Sequence, residues 1–187
     1  MVGLGNPGAE YAGTRHNVGA EVIGLLARRH GGSLRRGKEL ALADVLRFNG
    51  KRLAIAFPQT FMNESGRSAQ LLVRRHGLTS PENLVVVHDE LDLEPGAIRV
   101  KRGGGLAGHN GLRSLRDHLH TVDFLRVRIG VGKPTSKERG ADHVLSKISK
   151  ADRELLAVAV ERAADAVEVI ATDGADAAMQ RFNRVDL

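Results

Sequence analysis

Leu84-Val85-Val86-Val87-His88-Asp89-Glu90-Leu91-Asp92 is the run whose reading decides the fold. Leu84 to Val87 is short, unbroken and β-branched, and neither alternation carries a polar residue, so it reads as a strand buried on both faces. Such strands belong to parallel sheets that helices cover on each side. His88 and Asp89 then stand at the carboxyl end of the strand, where the loops of an open α/β sheet converge on one crevice.

Upstream of that run, Asn63 is placed to cap a helix that carries Leu71, Leu72 and Val73 and stops at Gly77. Leu40 to Phe48 and Arg52 to Phe57 are strand-like and joined by Asn49-Gly50, the dipeptide best suited to the positive φ angles of a type I′ turn. Met1 to Leu4 reads as the end of another buried strand, and the polar, Gly-rich stretch Gly5 to His16 as the loop after it. From Asn17 onward Val18, Val22, Leu25 and Leu26 recur at helical spacing, with Gly31 and Gly32 as the stop.

Downstream, Ile98 to Lys101 is a short strand running into Gly103 to Gly111, where five glycines surround His109 and Asn110. A helix is expected from about Leu112. Phe124 to Val131 alternates as a strand does, with Arg126 and Arg128 on one face and apolar residues on the other. Lys133 to Gly140 reads as a charged, flexible loop, and Ala151 to Ile170 repeats Leu156, Val160, Ala163, Val167 and Ile170 along one helical stripe. The expected fold is α/β: a single domain over residues 1–187, with a twisted mixed, mostly parallel sheet and helices on both faces. In that architecture Asn6, His16, Asp89 and the Gly103 to Gly111 loop are neighbours.

Composition narrows the chemistry. Lys and Arg outnumber Asp and Glu by 28 to 22, a formal net charge of +6 that favours a polyanionic partner. With no cysteine, thiol nucleophiles, thiolate zinc sites and disulfides are excluded together. No stretch approaches a membrane span and no secretory signal is visible, so the chain reads as cytoplasmic. Five Phe, one Tyr and no Trp are too few for a broad base-stacking platform, so RNA would be held mainly by its phosphates.

Gly3-Leu4-Gly5-Asn6-Pro7-Gly8 and Gly103-Gly104-Gly105-Leu106-Ala107-Gly108 both match the dinucleotide fingerprint G-x-G-x-x-G. The first helix begins too late after the first match for its N-terminus to face a pyrophosphate, which argues against a nicotinamide oxidoreductase. Neither a P-loop nor a G-x-S-x-G nucleophile elbow is present. A hydrolase built from these residues therefore uses water, activated by a metal or by a general base. His88, Asp89, Glu90 and Asp92 are a possible cation cluster, but ligands from several segments are the rule for catalytic metals. A carboxylate at a strand end has another use: accepting the Nδ1 proton of a histidine, so that Nε2 is free to act as a base. His16, within Thr14-Arg15-His16-Asn17, is the candidate base, although alone it is an ordinary loop histidine. Asn6, Asn63 and Asn110 each have a routine reading as caps or turn residues; together they offer amide donors for a peptide and an oxyanion.

These residues form a pattern. Gly3 to Gly8, Tyr11, Thr14 to Asn17, Phe61-Met62-Asn63, His88 to Asp92, Gly103 to Gly111 and Arg126-Val127-Arg128-Ile129-Gly130-Val131-Gly132 resemble the bacterial peptidyl-tRNA hydrolases in order and spacing, over essentially the whole chain. The resemblance implies a monomeric, metal-free and cofactor-free esterase that frees tRNA from an N-blocked peptide, with no obligate protein partner and no membrane. It implies His16 as general base and Asp89 as its support. Asn6, Met62, Asn63 and Asn110 are implied at the peptide and ester, and Tyr11 and Phe61 beside the tRNA 3′ end. Lys101 and Arg128 are implied as a clamp for the 5′-terminal phosphate, and His109, beside it in the Gly-rich loop, is implied among the substrate-binding residues. Family members usually carry several residues before the position of Val2, and many have a smaller or more polar pair where Leu106-Ala107 stands. A non-catalytic RNA-binding protein on the same scaffold is the alternative.

Overall fold

The computed structural model describes residues 1–134, 136 and 140–184. Among them seven strands form one sheet: β1 (Val2–Gly3), β2 (Arg35–Arg36), β3 (Ala41–Phe48), β4 (Lys51–Pro58), β5 (Val85–Glu90), β6 (Ile98–Arg102) and β7 (Leu125–Gly130). Their order is β2-β3-β4-β1-β5-β7-β6. The four central strands β4, β1, β5 and β7 are parallel. The flanking pairs β2–β3, β3–β4 and β6–β7 are antiparallel. The helices are α1 (Val18–Arg29), α2 (Ser65–Arg75), α3 (Asn110–Leu119), α4 (Gly140–Leu145), α5 (Lys150–Asp173) and α6 (Ala175–Phe182).

Every residue of β5 is buried, as its β-branched run predicts. Val85 and Val87 join Val127 and Ile129 beneath α1, α5 and α6, while Leu84 and Val86 join Phe124, Leu112 and Leu115 on the α2–α3 side. Phe124 is wholly buried, and covering a ring of that size contributes about 1.5 to 3 kcal/mol. Asn49 (φ 48°) and Gly50 (φ 70°) close the β3–β4 hairpin with Phe48 opposite Lys51, the turn expected of that dipeptide.

Helix α1 lies very close to the sheet. A Cβ on Gly19 would stand 2.3 Å from the Val87 carbonyl oxygen, and one on Gly3 would stand 2.2 Å from Gly19 O. Only hydrogen fits at either position. The Ala20 N–H bonds Leu4 O at 3.1 Å across this contact, and the turn that precedes α1 is brought over the carboxyl end of β5.

Several expectations need correction. Asn63 does not cap α2: it is exposed inside a 3-10 turn over Met62–Glu64, and Glu64 occupies the cap position with its carboxylate turned to Arg67 rather than capping the helix. Helix α3 begins at Asn110 rather than Leu112, because the His109 imidazole caps it. Of the expected Lys133 to Gly140 loop, residues 135 and 137–139 lie outside the described residues.

Candidate active site

Asp89 is the last but one residue of β5 and is buried to 3 % exposure. His16, in the 3-10 turn before α1, places Nδ1 2.9 Å from both carboxylate oxygens. An ionised carboxylate only accepts, so Nδ1 carries the proton and the His16 Nε2 lone pair is left free. His109 approaches from the other side, its Nε2 lying 2.8 Å from Asp89 Oδ1. Its Nδ1 accepts from the N–H groups of Gly111 (3.1 Å) and Leu112 (3.4 Å) at the start of α3. His109 is thus held as the Nε2–H tautomer from both ends. Burial alone raises the Asp89 carboxyl; the two imidazoles bonded to it, His109 foremost, outweigh that and hold it well below the usual carboxylate range.

His16, Asp89, Leu91, His109, Asn110 and Val144 all line one cleft of about 580 Å³. The Ala107–Gly108 limb of the glycine-rich loop forms one wall and α4 forms another. Arg15, adjacent to His16, ties α4 down: its Nη1 donates to His143 O (3.4 Å) and Ser146 Oγ (3.3 Å), and Nη2 meets Asp152 Oδ2 at 2.8 Å. Nothing in the local sequence marks Arg15 for this role, since its partners lie more than 120 residues away.

Asn6 is buried and is not among the residues that line this cleft. Its Oδ1 accepts from Met62 N–H (2.7 Å), and its main chain is locked to the Asn17 side chain by two bonds of 2.9 Å. The Asn6 amide NH₂ is therefore the group left to act as a donor. Asn17, also buried, was not singled out by its residue type; its value lies in holding Asn6. Met62 is buried with its Sδ against Gly111, where a Cβ would stand 2.6 Å away. Tyr11 and Phe61 meet edge to face at 6.4 Å, and Phe61 is 56 % exposed. Asn63 is exposed.

Lys101 and Arg128 lie on one sheet face, because Lys101 opposes Arg126 and Arg128 follows two residues later. Arg128 Nε donates to Glu90 Oε2 at 3.0 Å, a partner the sequence reading assigned elsewhere. The Lys101 side chain rests over Gly104, where a Cβ would stand 2.6 Å from Nζ.

The suspected cation cluster is dispersed. Glu90 pairs with Arg128, Asp92 pairs with Lys133 at 2.9 Å, and His88 Nδ1 donates to the Asp89 carbonyl at 2.7 Å. Among the described residues the ligand-type atoms that do gather belong to His16, Asp89 and His109. These atoms already hydrogen-bond one another, so a cation there would have to displace both bonds.

Comparison with known proteins places the chain in a family. The family model described as peptidyl-tRNA hydrolase matches residues 1–187. The chain is 46% identical over 194 residues to the peptidyl-tRNA hydrolase of Cutibacterium acnes, covering 98% of this chain and 96% of that one. It is 48% identical over 185 residues to that of Nocardia farcinica, covering 98% and 95%. The crystal structure of peptidyl-tRNA hydrolase from Acinetobacter baumannii superposes with a TM-score of 0.92 at 39% identity, covering 97% of this chain and 92% of the other. On these grounds the chain belongs to the peptidyl-tRNA hydrolase family.

Proposed function

We propose that this protein hydrolyses the ester between an N-blocked peptide and the 3′-terminal ribose of tRNA. The observation that carries the mechanism is the buried His16–Asp89 pair, with Nδ1 2.9 Å from both oxygens at the edge of the cleft. Asp89 fixes the tautomer and supports the imidazolium that forms; His16 Nε2 takes a proton from water as that water attacks the ester carbonyl. The Asn6 amide NH₂ and the side chains of Asn63 and Asn110 serve the peptide and the developing oxyanion. Tyr11 and Phe61 receive the 3′-terminal nucleotides, and Lys101 with Arg128 receive the 5′ phosphate. His109 supports Asp89 and, lining the cleft, is also placed to meet the substrate. The enzyme works as a cytoplasmic monomer without metal or cofactor. No helix among the described residues is long and apolar enough to cross a membrane.

The deciding experiment is cleavage of an N-acetylated aminoacyl-tRNA by the wild-type protein and by His16→Ala. Tight tRNA binding without ester cleavage by the wild type would replace the hydrolase with an RNA-binding protein on the same scaffold.

A further inference from the structure

The face that carries Lys101 and Arg128 also carries Arg126, which is only 2 % exposed. Its hydrogen bonds are to carbonyls: Nη1 donates to Gly105 O at 2.7 Å, and Nη2 to Gly104 O at 2.9 Å and Val122 O at 3.3 Å. The guanidinium also lies 5.0 Å from the centre of the Phe124 ring. A buried cation is costly unless its donors are well used; here the two shortest bonds go to adjacent carbonyls of the glycine-rich loop, a longer one goes to Val122, and Nε is buried without a partner.

That loop follows no regular ladder. Gly103 (φ 57°), Gly104 (100°), Ala107 (47°) and Gly108 (73°) all take positive φ. Main-chain bonds secure its ends, Gly103 N–H to Phe124 O at 3.1 Å and His109 N–H to Leu106 O at 2.8 Å. Between those ends, the bonds that reach Gly104 and Gly105 come from Arg126. The far limb, Ala107–Gly108, walls the cleft and delivers His109 to Asp89.

We propose that Arg126 is a positioning residue that sets the glycine-rich loop through Gly104 and Gly105, and so fixes His109 against Asp89. Charge alone does not serve this purpose. A planar fork spans two adjacent carbonyls, whereas an ammonium is a compact point charge on a flexible stem. The tether stands on its geometry; its effect on rate rests on the hydrolase reading above.

The test compares wild type, Arg126→Lys and Arg126→Gln by amide hydrogen exchange and by kcat and KM on N-acetylated aminoacyl-tRNA with and without its 5′ phosphate. Both variants are expected to speed exchange at residues 104–109 while β7 stays protected. Both should lower kcat by about tenfold to a hundredfold, equally on the two substrates, as small misplacements of catalytic groups do. Unchanged exchange, a lysine variant that behaves as wild type, or faster exchange with normal kcat would each overturn the proposal. A loss confined to the 5′-phosphorylated substrate would overturn it too, making Arg126 a phosphate contact. A wild-type protein without ester cleavage would sink the hydrolase reading, and the exchange data would still judge the tether. If neither variant folds, nitrogen-detected spectra of the wild-type guanidinium decide: restricted rotation of the Arg126 Nη groups is expected, and free rotation overturns the tether.

Discussion

His109 donates to Asp89 Oδ1 at 2.8 Å while its own Nδ1 receives the first free amides of α3. The positive end of a helix is thereby connected, through one imidazole, to the carboxylate that orients His16. Asp89 is held from two sides and keeps its charge far into acid.

On the mechanism proposed above, replacement of His16 by alanine removes the proton acceptor and should lower kcat by about 10² to 10⁴. Asp89→Asn keeps the shape but loses the charge that fixes the tautomer, and should cost at least about 10². Single-turnover rates on N-acetylated aminoacyl-tRNA check both; wild-type rates in either variant refute the pair's role.

His88 gives a pH signature in stability. Burial, with His109 as the second cause, pushes its imidazole down to about 3. As pH falls, the unfolded chain takes up this proton near the ordinary value of roughly 6.5, while the folded protein does not until much lower. Stability from this group is therefore full above that ordinary value and is lost progressively down towards pH 3. His88→Asn should show a smaller loss on acidification from about pH 7 to about pH 4.5, by on the order of 2 kcal/mol. Urea midpoints at the two pH values measure it, and equal losses would refute it.

Lys101→Ala and Arg128→Ala should raise KM for 5′-phosphorylated tRNA about tenfold, the scale of a lost charge-assisted bond, with little change for a short substrate lacking that phosphate. Because Arg128 is also bonded to Glu90, its variant should be the more disruptive of the two. Parallel losses on both substrates would contradict a clamp.

Excess EDTA should leave the rate unchanged, because the atoms of His16, Asp89 and His109 that could bind a cation are already bonded to one another. Inhibition that added zinc or magnesium reverses would restore the metal reading.

Much of this was legible in residue patterns, for definite reasons. The Leu84–Val87 run dictated a doubly covered central strand, and Asn49-Gly50 dictated a two-residue turn. Strand β2 was not visible because two exposed arginines have no apolar alternation to announce them. Helix α6 was missed because the stripe of α5 was followed only to Ile170, and Gly174 separates the two helices. In the site, His16 and Asp89 come together as the motif implied. The burial of Arg126, the Glu90–Arg128 pair and the hold of Arg15 on α4 each depend on which segments fold next to one another. No short sequence window contains that information.

The tight seat of α1 on the sheet gives hydrogen atoms at Gly3 and Gly19 a share in the chemistry. A single methyl at Gly19 would collide with the Val87 carbonyl and lever the helix outward, carrying with it the turn three residues upstream. The reach between His16 and Asp89 is thus set partly by atoms that never see solvent, and a mutation there would act on the pair while leaving each polar group intact.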